Sequence, residues 1–178
     1  MKLPENKFYA LLVRPVVIIT TTSKDGKVNA APFSFTTPLS FSPPLFSFAT
    51  MPTHDTWQNL LETKEFVANI AGKNLGRVMH ILEEDFPRGV NEIEKANLHE
   101  EKSLYVKPPR IKEALGWIEC KMEKYVETGD HILVVGKVLC AEVKEEFWKE
   151  VIDTKEVLFH ITGEYFAQDA RLCKYRRR

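Results

Sequence analysis

The hydrophobic positions of the chain fall mostly into short runs that predict β-strands. The first run, VRPVVIITTT, begins at Val13 and is followed by Asp25 and Gly26 and then by the stretch VNAAPFSF. An Asp-Gly pair between two such runs predicts a hairpin with a two-residue turn. The return strand is unusual because residues 29–32, Asn-Ala-Ala-Pro, carry no large apolar side chain. Packing alone does not explain this small-residue stretch.

Strand patterns dominate the rest of the chain as well. The segments SPPLFSFAT, EFVANIA, LGWIECKMEKYVET, HILVVGKVLCAEV and EVLFHITGEYF are predicted as strands, with a second hairpin turn at residues 128–130. Helical spacing occurs in THDTWQNLLETK, NLGRVMHILEED and GVNEIEKANL, and the first of these places Trp57, Leu60 and Leu61 on one face. About six strands, few helices and no regular βαβ alternation predict a mainly β fold, an antiparallel barrel with short helices outside it.

The length and charge of the chain restrict its organisation and partners. The sequence has no repeat and no linker long enough to divide it, so residues 1–178 are predicted to form one domain, with residues 171–178 as a basic, solvated tail. Basic and acidic side chains number 25 each, so the formal net charge is zero. No field of one sign can attract nucleic acid or an anionic membrane, and neither is predicted as a partner.

The predicted location is the cytoplasm. The apolar runs are shorter than a membrane span, and the first residues, MKLPENKFYALLVRP, lack the apolar core of a signal peptide. The three cysteines are odd in number and form no Cys-x-x-Cys pair, which indicates reduced thiols and argues against disulfides or a zinc knuckle.

Several common active-site motifs do not occur in the sequence. It has no Gly-x-Ser-x-Gly elbow, no phosphate-binding P-loop and no Gly-x-Gly-x-x-Gly fingerprint. The five histidines show no metal-ligand spacing, so no metal site is predicted. The acidic residues 83–85 end a predicted helix and are interpreted as a solvated face. Hydrolysis, acyl transfer and metal catalysis therefore receive little support.

Two groups of polar residues remain as site candidates. Asn29 and Ser34 flank Pro32, and a second group leads into the helix of Trp57: Ser47, Thr50, His54, Asp55 and Thr56. A helix start offers free N–H groups that favour a phosphate. The same residues have a simpler interpretation, in which Thr53 or Asp55 caps the helix. The local sequence leaves both interpretations open.

Most of the chain, from Arg14 to Val143, resembles the flavin reductase-like proteins. The resemblance is carried by RPVVIITTTSKDGKVNAAPFSFTTPLSFSPPLFSF, HDTWQNLLETKEFVANI, GVNEIEKANL, VKPPRIKEALGWIECK and GDHILVVGKV, in this order. The types that it resembles are flavoredoxin and the archaeal ferric reductases, which are FMN-binding split-barrel proteins. The resemblance implies a split antiparallel β-barrel, a homodimer, and FMN bound without a covalent bond near the subunit interface.

The resemblance also implies which residues hold the cofactor. The wall of the flavin is expected at Asn29, Ala30, Ala31, Pro32, Ser34 and Phe35. Pro32 is expected to end strand pairing and to free backbone groups for the flavin; the alternative is an edge strand ended by a bulge. The phosphate candidates are Thr50, His54 and Thr56, and Ser47 is a further cofactor-binding candidate. Lys95 corresponds to a lysine that reaches the flavin in relatives, or is a solvated helix residue. His131 is expected to face the flavin and support its reduced form, which is the one catalytic role predicted.

The function implied is that of an FMN-dependent oxidoreductase. It would pass electrons from NADH or NADPH through the flavin to free flavin, a ferric complex or a partner protein. Arg14 or Arg88 could bind the 2′-phosphate of NADPH. The alternatives are a flavoredoxin-like carrier with bound FMN and no NAD(P)H activity, and a flavin-free binding module. In the expected dimer the segment VLFHITGEYF reaches across, so that bulky side chains cover the flavin: Phe159, Tyr165 and Phe166.

Overall fold

The regular structure of the protein is mostly β. The computed structural model describes residues 1–175, so residues 176–178, the end of the predicted basic tail, lie outside the described residues. The strands are β1 Arg14–Pro15, β2 Val17–Thr22, β3 Val28–Phe33, β4 Thr36–Phe41, β5 Pro44–Thr50, β6 Glu65–Ile70, β7 Glu100–Glu101, β8 Arg110–Ile111, β9 Gly116–Thr128, β10 His131–Val143, β11 Phe159–Thr162 and β12 Tyr165–Ala167. The α-helices are α1 Asp55–Thr63, α2 Met79–Leu82 and α3 Glu92–Lys95, and the 3₁₀ helices are Glu5–Leu11, Lys73–Val78 and Glu145–Phe147.

Seven strands form one antiparallel sheet in the order β3-β2-β6-β9-β10-β5-β4. The two edge strands of this sheet, β3 and β4, follow each other in the chain and are joined through Ser34 and Phe35. The amide of Ala49 on β5 donates to the carbonyl of Phe35 at 2.9 Å, which holds this corner against the sheet. The sheet therefore curls into a split barrel, and the predicted mainly β fold with peripheral helices is confirmed.

Strand β2 is buried on both faces, which explains its continuous apolar run. Its alternate side chains Val17 and Ile19 belong to an inner core with the fully buried Phe48 and Phe66. Ile18, between them, belongs to an outer core that also holds the apolar side chains of the short helices: Leu75, Met79, Leu82 and Ile93. The barrel thus has one core inside and one between the sheet and its helices.

Helix α1 packs on the inner core through two of the three apolar residues predicted to face it. Trp57 and Leu60 are buried there, whereas Leu61, which was predicted on the same face of the helix, is 48% exposed. The segment NLGRVMHILEED begins as a 3₁₀ helix and becomes α-helical only at Met79. Among residues 1–175, no helix has the length and apolarity needed to cross a bilayer.

The hairpins are where predicted, with differences in their turns. The connection between β2 and β3 has five residues, 23–27, and Gly26 adopts a φ of +80° at its end, so the two-residue turn was wrong. The β9–β10 hairpin has the predicted Gly129, at a φ of +64°. The predicted last strand is in fact a hairpin, because the chain reverses at Gly163 between β11 and β12.

Pro32 does not end strand pairing, contrary to the sequence-based expectation. It pairs with Ile18, and the ladder continues to Phe33 opposite Val17. The reason is that β3 lies at the edge of the sheet. The N–H of Ala30 points away from β2, to the carboxylate of Glu92, and residue 32 faces the same way because backbone direction alternates with a period of two. The N–H that Pro32 lacks would point away from β2, so its absence removes no hydrogen bond from the β2–β3 ladder.

Candidate functional site

A cleft of about 480 Å³ lies between β3, the start of α1, the residues that follow α2, and α3. Five of the predicted cofactor residues line it: Asn29, Ala31, Pro32, His54 and Thr56. The remaining lining residues are Phe33, Met51, Thr53, Asp55, Leu82, Glu83, Glu84, Asp85, Phe86 and Glu92. The fold thus brings the small-residue strand and the start of α1 to one cleft.

The first turn of α1 has backbone N–H groups free for a ligand. The residue at the N-cap position is His54, and no side chain caps the helix, so the predicted caps Thr53 and Asp55 are not formed. Among residues 1–175, the amides of Asp55 and Thr56 donate no hydrogen bond. Such amides, with the positive end of the helix dipole, favour an anionic group.

A buried network of amides and hydroxyls fixes α1 against β3. The side-chain amide of Asn29 donates to Thr56 Oγ1 at 3.0 Å, and that of Asn59 donates to Thr21 Oγ1 at 3.1 Å. Asn29 and Thr56 are only 7% and 1% exposed. Asn29 Oδ1 accepts no hydrogen bond from the described residues, so it offers an acceptor to whatever occupies the cleft.

His54 stands at the inner wall of the cleft. Its Nδ1 lies 3.2 Å from Thr50 Oγ1, and its ring meets the edge of Phe33 at a centroid distance of 6.2 Å. The pKa of His54 is lowered below its usual 6.5, first by burial and then by the charge of His131, although Asp85 and Asp55 act in the opposite direction. His54 therefore becomes the positively charged group predicted here only on the acidic side of neutrality.

The cleft is lined by carboxylates that the sequence did not place there. Residues 83–85 are exposed as expected, yet they face the cleft, together with Asp55 and Glu92. Burial raises the pKa of Glu92, and partial desolvation by the cleft raises the pKa of Glu83 although its side chain is exposed. Glu92 is the residue that sequence reasoning missed most clearly. No local signal indicates it, because its partner Ala30 is 62 residues away.

A second group of predicted residues gathers at the β3–β4 corner, outside the cleft lining. Ser34 Oγ lies 3.0 Å from His160 Nδ1 and 3.3 Å from Arg14 Nε. The Phe35 ring is 5.7 Å from that of His131, whose Nδ1 is 2.6 Å from Asp130 Oδ1. The structure therefore groups His131 with Phe35, whereas His160 was not anticipated.

The other predicted residues lie apart from both groups. Ala30 and Ser47 are fully buried; the Ala30 side chain is in the outer core, and the Ser47 hydroxyl donates to the carbonyl of Thr37 at 3.1 Å. Lys95 is exposed on α3, with its Nζ 6.0 Å from the ring centroid of Phe86, which lines the cleft. Cofactor contacts of these three residues stay predictions.

Comparisons with known proteins agree with the fold and identify the family. A family model for the flavin reductase like domain matches residues 9–167. An uncharacterised protein of Aquifex aeolicus is 36% identical over 170 residues, which cover 90% of this chain and 87% of the relative. The structure of nitrilotriacetate monooxygenase component B from Bacillus cereus matches at 26% identity with a TM-score of 0.85, covering 98% of this chain and 95% of that one.

A further solved structure shares the fold alone. It is the FMN-binding protein from Thermus thermophilus, with a TM-score of 0.86 at 21% identity, covering 99% of this chain and 97% of its own. The family match extends over both groups of candidate residues, from the β3 strand to the C-terminal hairpin. By its sequence, its split barrel and this match, the chain belongs to the flavin reductase-like family.

Proposed function

We propose that this protein is an FMN-binding oxidoreductase that takes electrons from NADH or NADPH. The observation that carries the proposal is the cleft, in which a strand of small residues meets an uncapped helix start. Its volume of about 480 Å³ lies in the range typical of cofactor sites. Bound flavin would supply the hydride and electron transfer, and the chain would position it.

The residues present fit the two ends of FMN. The free amides of Asp55 and Thr56 suit the phosphate, with His54 adding positive charge when protonated. Ala31 and Pro32 offer a low wall that leaves room for a flat ring. The nearby carboxylates oppose an anion, so we expect the phosphate to bind against the helix start and away from residues 83–85. FMN-binding is also the description of the Thermus thermophilus protein with this fold.

Of the two arginines considered for a 2′-phosphate, Arg88 is better suited. Arg14 already donates to the carbonyls of Tyr9 and Ile161, at 2.5 and 2.6 Å, and so is committed to structure. Arg88 is exposed, and the ion pair that it forms within residues 1–175, with Glu62 at 3.0 Å, is of a kind that contributes little. It borders a second cleft that shares Asn29 with the first. Arg88 is therefore the candidate contact for the 2′-phosphate if NADPH is the donor.

The test is an absorbance spectrum of the protein with FMN, followed by anaerobic addition of NADH and then NADPH. Flavin bands that one nicotinamide bleaches within the mixing time support the reductase. Bands that neither nicotinamide bleaches contradict this activity and identify a carrier of the flavoredoxin type. A protein that stays colourless after incubation with FMN overturns the flavin site and leaves a flavin-free binding module.

We also propose that the protein is a homodimer. The support is a set of exposed apolar side chains, led by Phe41 at 96%, Leu11 and Tyr165 at 72% and Phe8 at 65%. Of the residues expected to cover a partner's flavin, Tyr165 is exposed, whereas Phe166 is partly buried against its own outer core. Light scattering tests the proposal, and a particle of 20.5 kDa at micromolar concentration contradicts it.

A further inference from the structure

Glu92 is a buried acid that accepts a hydrogen bond from one other residue, Ala30. It begins α3 directly after the N-cap residue Asn91, whose side chain accepts from the amide of Ile93 at 3.1 Å. Its Oε2 accepts the N–H of Ala30 at 2.8 Å, and the side chain is only 8% exposed although it lines the cleft. Glu92 therefore stands between α3 and the open edge of β3.

This position makes the cleft edge of β3 rich in acceptors. The backbone groups of Ala30 and Pro32 point to the same side, away from β2. Pro32 has no N–H, and the N–H of Ala30 is taken by Glu92. What Pro32 and Glu92 leave toward the cleft are carbonyl and carboxylate oxygens. Such an edge selects a ligand that presents hydrogen-bond donors.

The surroundings of Glu92 do not compensate its charge. Within the described part of the chain it forms no salt bridge, and its second oxygen bonds to no other residue. Burial raises its pKa, and the carboxyl of Asp55 raises it further, while the amides of Ala30 and of Glu92 itself lower it. A carboxyl group that is more than nine-tenths buried beside a cleft, with no ion-pair partner among the described residues, is a common feature of functional sites.

We propose that Glu92 is a positioning residue of the flavin cleft. It fixes the Ala30–Pro32 edge against α3, and its second oxygen accepts a hydrogen bond from a donor of the bound flavin. Two donors have this chemistry, the imide N–H of the ring and the hydroxyl groups of the ribityl chain. The inference rests on the proposed flavin function, because it assigns a role to a residue within that same cleft.

The experiment compares the wild type with Glu92→Ala, Glu92→Gln and the control Glu94→Gln. Glu94 is exposed on the same helix and is absent from the cleft lining. The dissociation constant of FMN is measured by fluorescence quenching, and the absorption spectrum and midpoint potential of the bound flavin are measured at about pH 8, above the ordinary pKa of glutamate. Lumiflavin, which has the ring imide but no ribityl chain, is titrated in parallel.

We expect Glu92→Ala to raise the dissociation constant of FMN about tenfold or more, since it removes a hydrogen bond to a charged group. Glu92→Gln can still accept from Ala30 and should fold. It should nevertheless shift the flavin spectrum and make the midpoint potential more positive, because a negative charge beside the electron-accepting ring is lost. Glu94→Gln should match the wild type in all readouts.

The outcomes separate the inference from the function on which it rests. A wild type that binds no flavin overturns the proposed function. A wild type that binds flavin, with Glu92→Gln unchanged in affinity, spectrum and potential, overturns the role of Glu92 alone. A loss of affinity shared by lumiflavin assigns the ring imide as the donor, and a loss limited to FMN assigns the ribityl chain. If Glu92→Ala does not fold, the measurements on Glu92→Gln test the role of Glu92.

Discussion

Two buried glutamates, Glu119 and Glu92, occupy opposite kinds of surroundings. Glu119 on β9 is completely buried and pairs with Arg110 at 2.7 Å. It also accepts from the amides of Leu104 and Tyr105, at 2.8 and 2.6 Å, so both of its oxygens are used. Arg110 in turn reaches Glu142 and stacks on Trp117. Glu92, in contrast, accepts a hydrogen bond from one other residue, through the amide of Ala30, and lines an open cleft.

The difference separates a structural acid from a functional one. Glu119 ties residues 102–110 to the barrel, and each of its bonds is made within the chain. Glu92 anchors α3 with one oxygen and leaves the other to be completed from outside. Burial is similar in the two cases, so burial alone does not identify a site. Unused hydrogen-bonding capacity beside a cleft does.

The largest effect that this comparison predicts is on folding stability. Glu119→Ala leaves Arg110 buried without one of its two carboxylate partners, which should lower the free energy of unfolding by about 3–5 kcal/mol. Denaturant titration measures the loss, and the exposed Glu123→Ala on the same strand is the control. The folded fraction should bind FMN as the wild type does. A loss below about 1 kcal/mol, the scale of a surface pair, would contradict the structural role.

A smaller effect, confined to binding, is expected from filling the cleft. Ala31→Leu places a branched side chain on the low wall where we expect the flavin ring, and should weaken FMN binding by about a hundredfold, or roughly 2.7 kcal/mol. Ala141→Leu makes the same change at an exposed position of β10. Titration of both variants with FMN tests this, and equal affinities would show that the ring lies elsewhere.

Disrupting the hydrogen bond between Asn29 and Thr56 beneath the cleft should lower both the stability of the protein and its affinity for FMN. Thr56→Val removes the hydroxyl that accepts from the Asn29 side chain at 3.0 Å. The unfolding free energy should fall by about 1–2 kcal/mol, and FMN affinity should fall with it, because the helix start loses its anchor. Thr56→Ser keeps the hydroxyl and should restore both quantities. Failure of serine to restore them would assign the effect to the lost methyl group.

The smallest predicted effect depends on pH and has opposite signs for folding and binding. Because the pKa of His54 is lowered below 6.5, stability of the flavin-free protein should fall as pH falls below about 6.5, where the unfolded chain binds the proton more readily. FMN affinity should rise over the same range, since the imidazolium attracts phosphate.

His54→Gln isolates this contribution of His54. Glu83 and Glu92, whose pKa values are raised, also gain protons as pH falls, but they do so in both proteins. The difference between wild type and variant therefore reports His54. Thermal melts and FMN titrations across the range measure it. A difference that does not change with pH would remove His54 from the phosphate site.

The predictable part of the fold follows from local patterns. The β9–β10 hairpin, with Gly129 in its turn, and the buried Trp57 and Leu60 of α1 could be recognised because each signal lies within a few neighbouring residues. Strand β4 was missed because Pro38 interrupts it, which an edge strand tolerates. The segment ending at Phe166 was predicted as one strand, because Gly163 alone marks its reversal.

The sequence by itself determined the class of fold, the family, and five of the fifteen residues that line the cleft, because these depend on hydrophobic period, turn residues and recognisable motifs. Only the tertiary structure decided that Pro32 stays in the ladder, that residues 83–85 face the cleft, and that Glu92 bonds Ala30. These outcomes depend on which strand lies at the sheet edge and on contacts between residues far apart in the chain. The local sequence pattern does not predict such contacts, because the free energy that stabilises them arises from packing of the whole barrel.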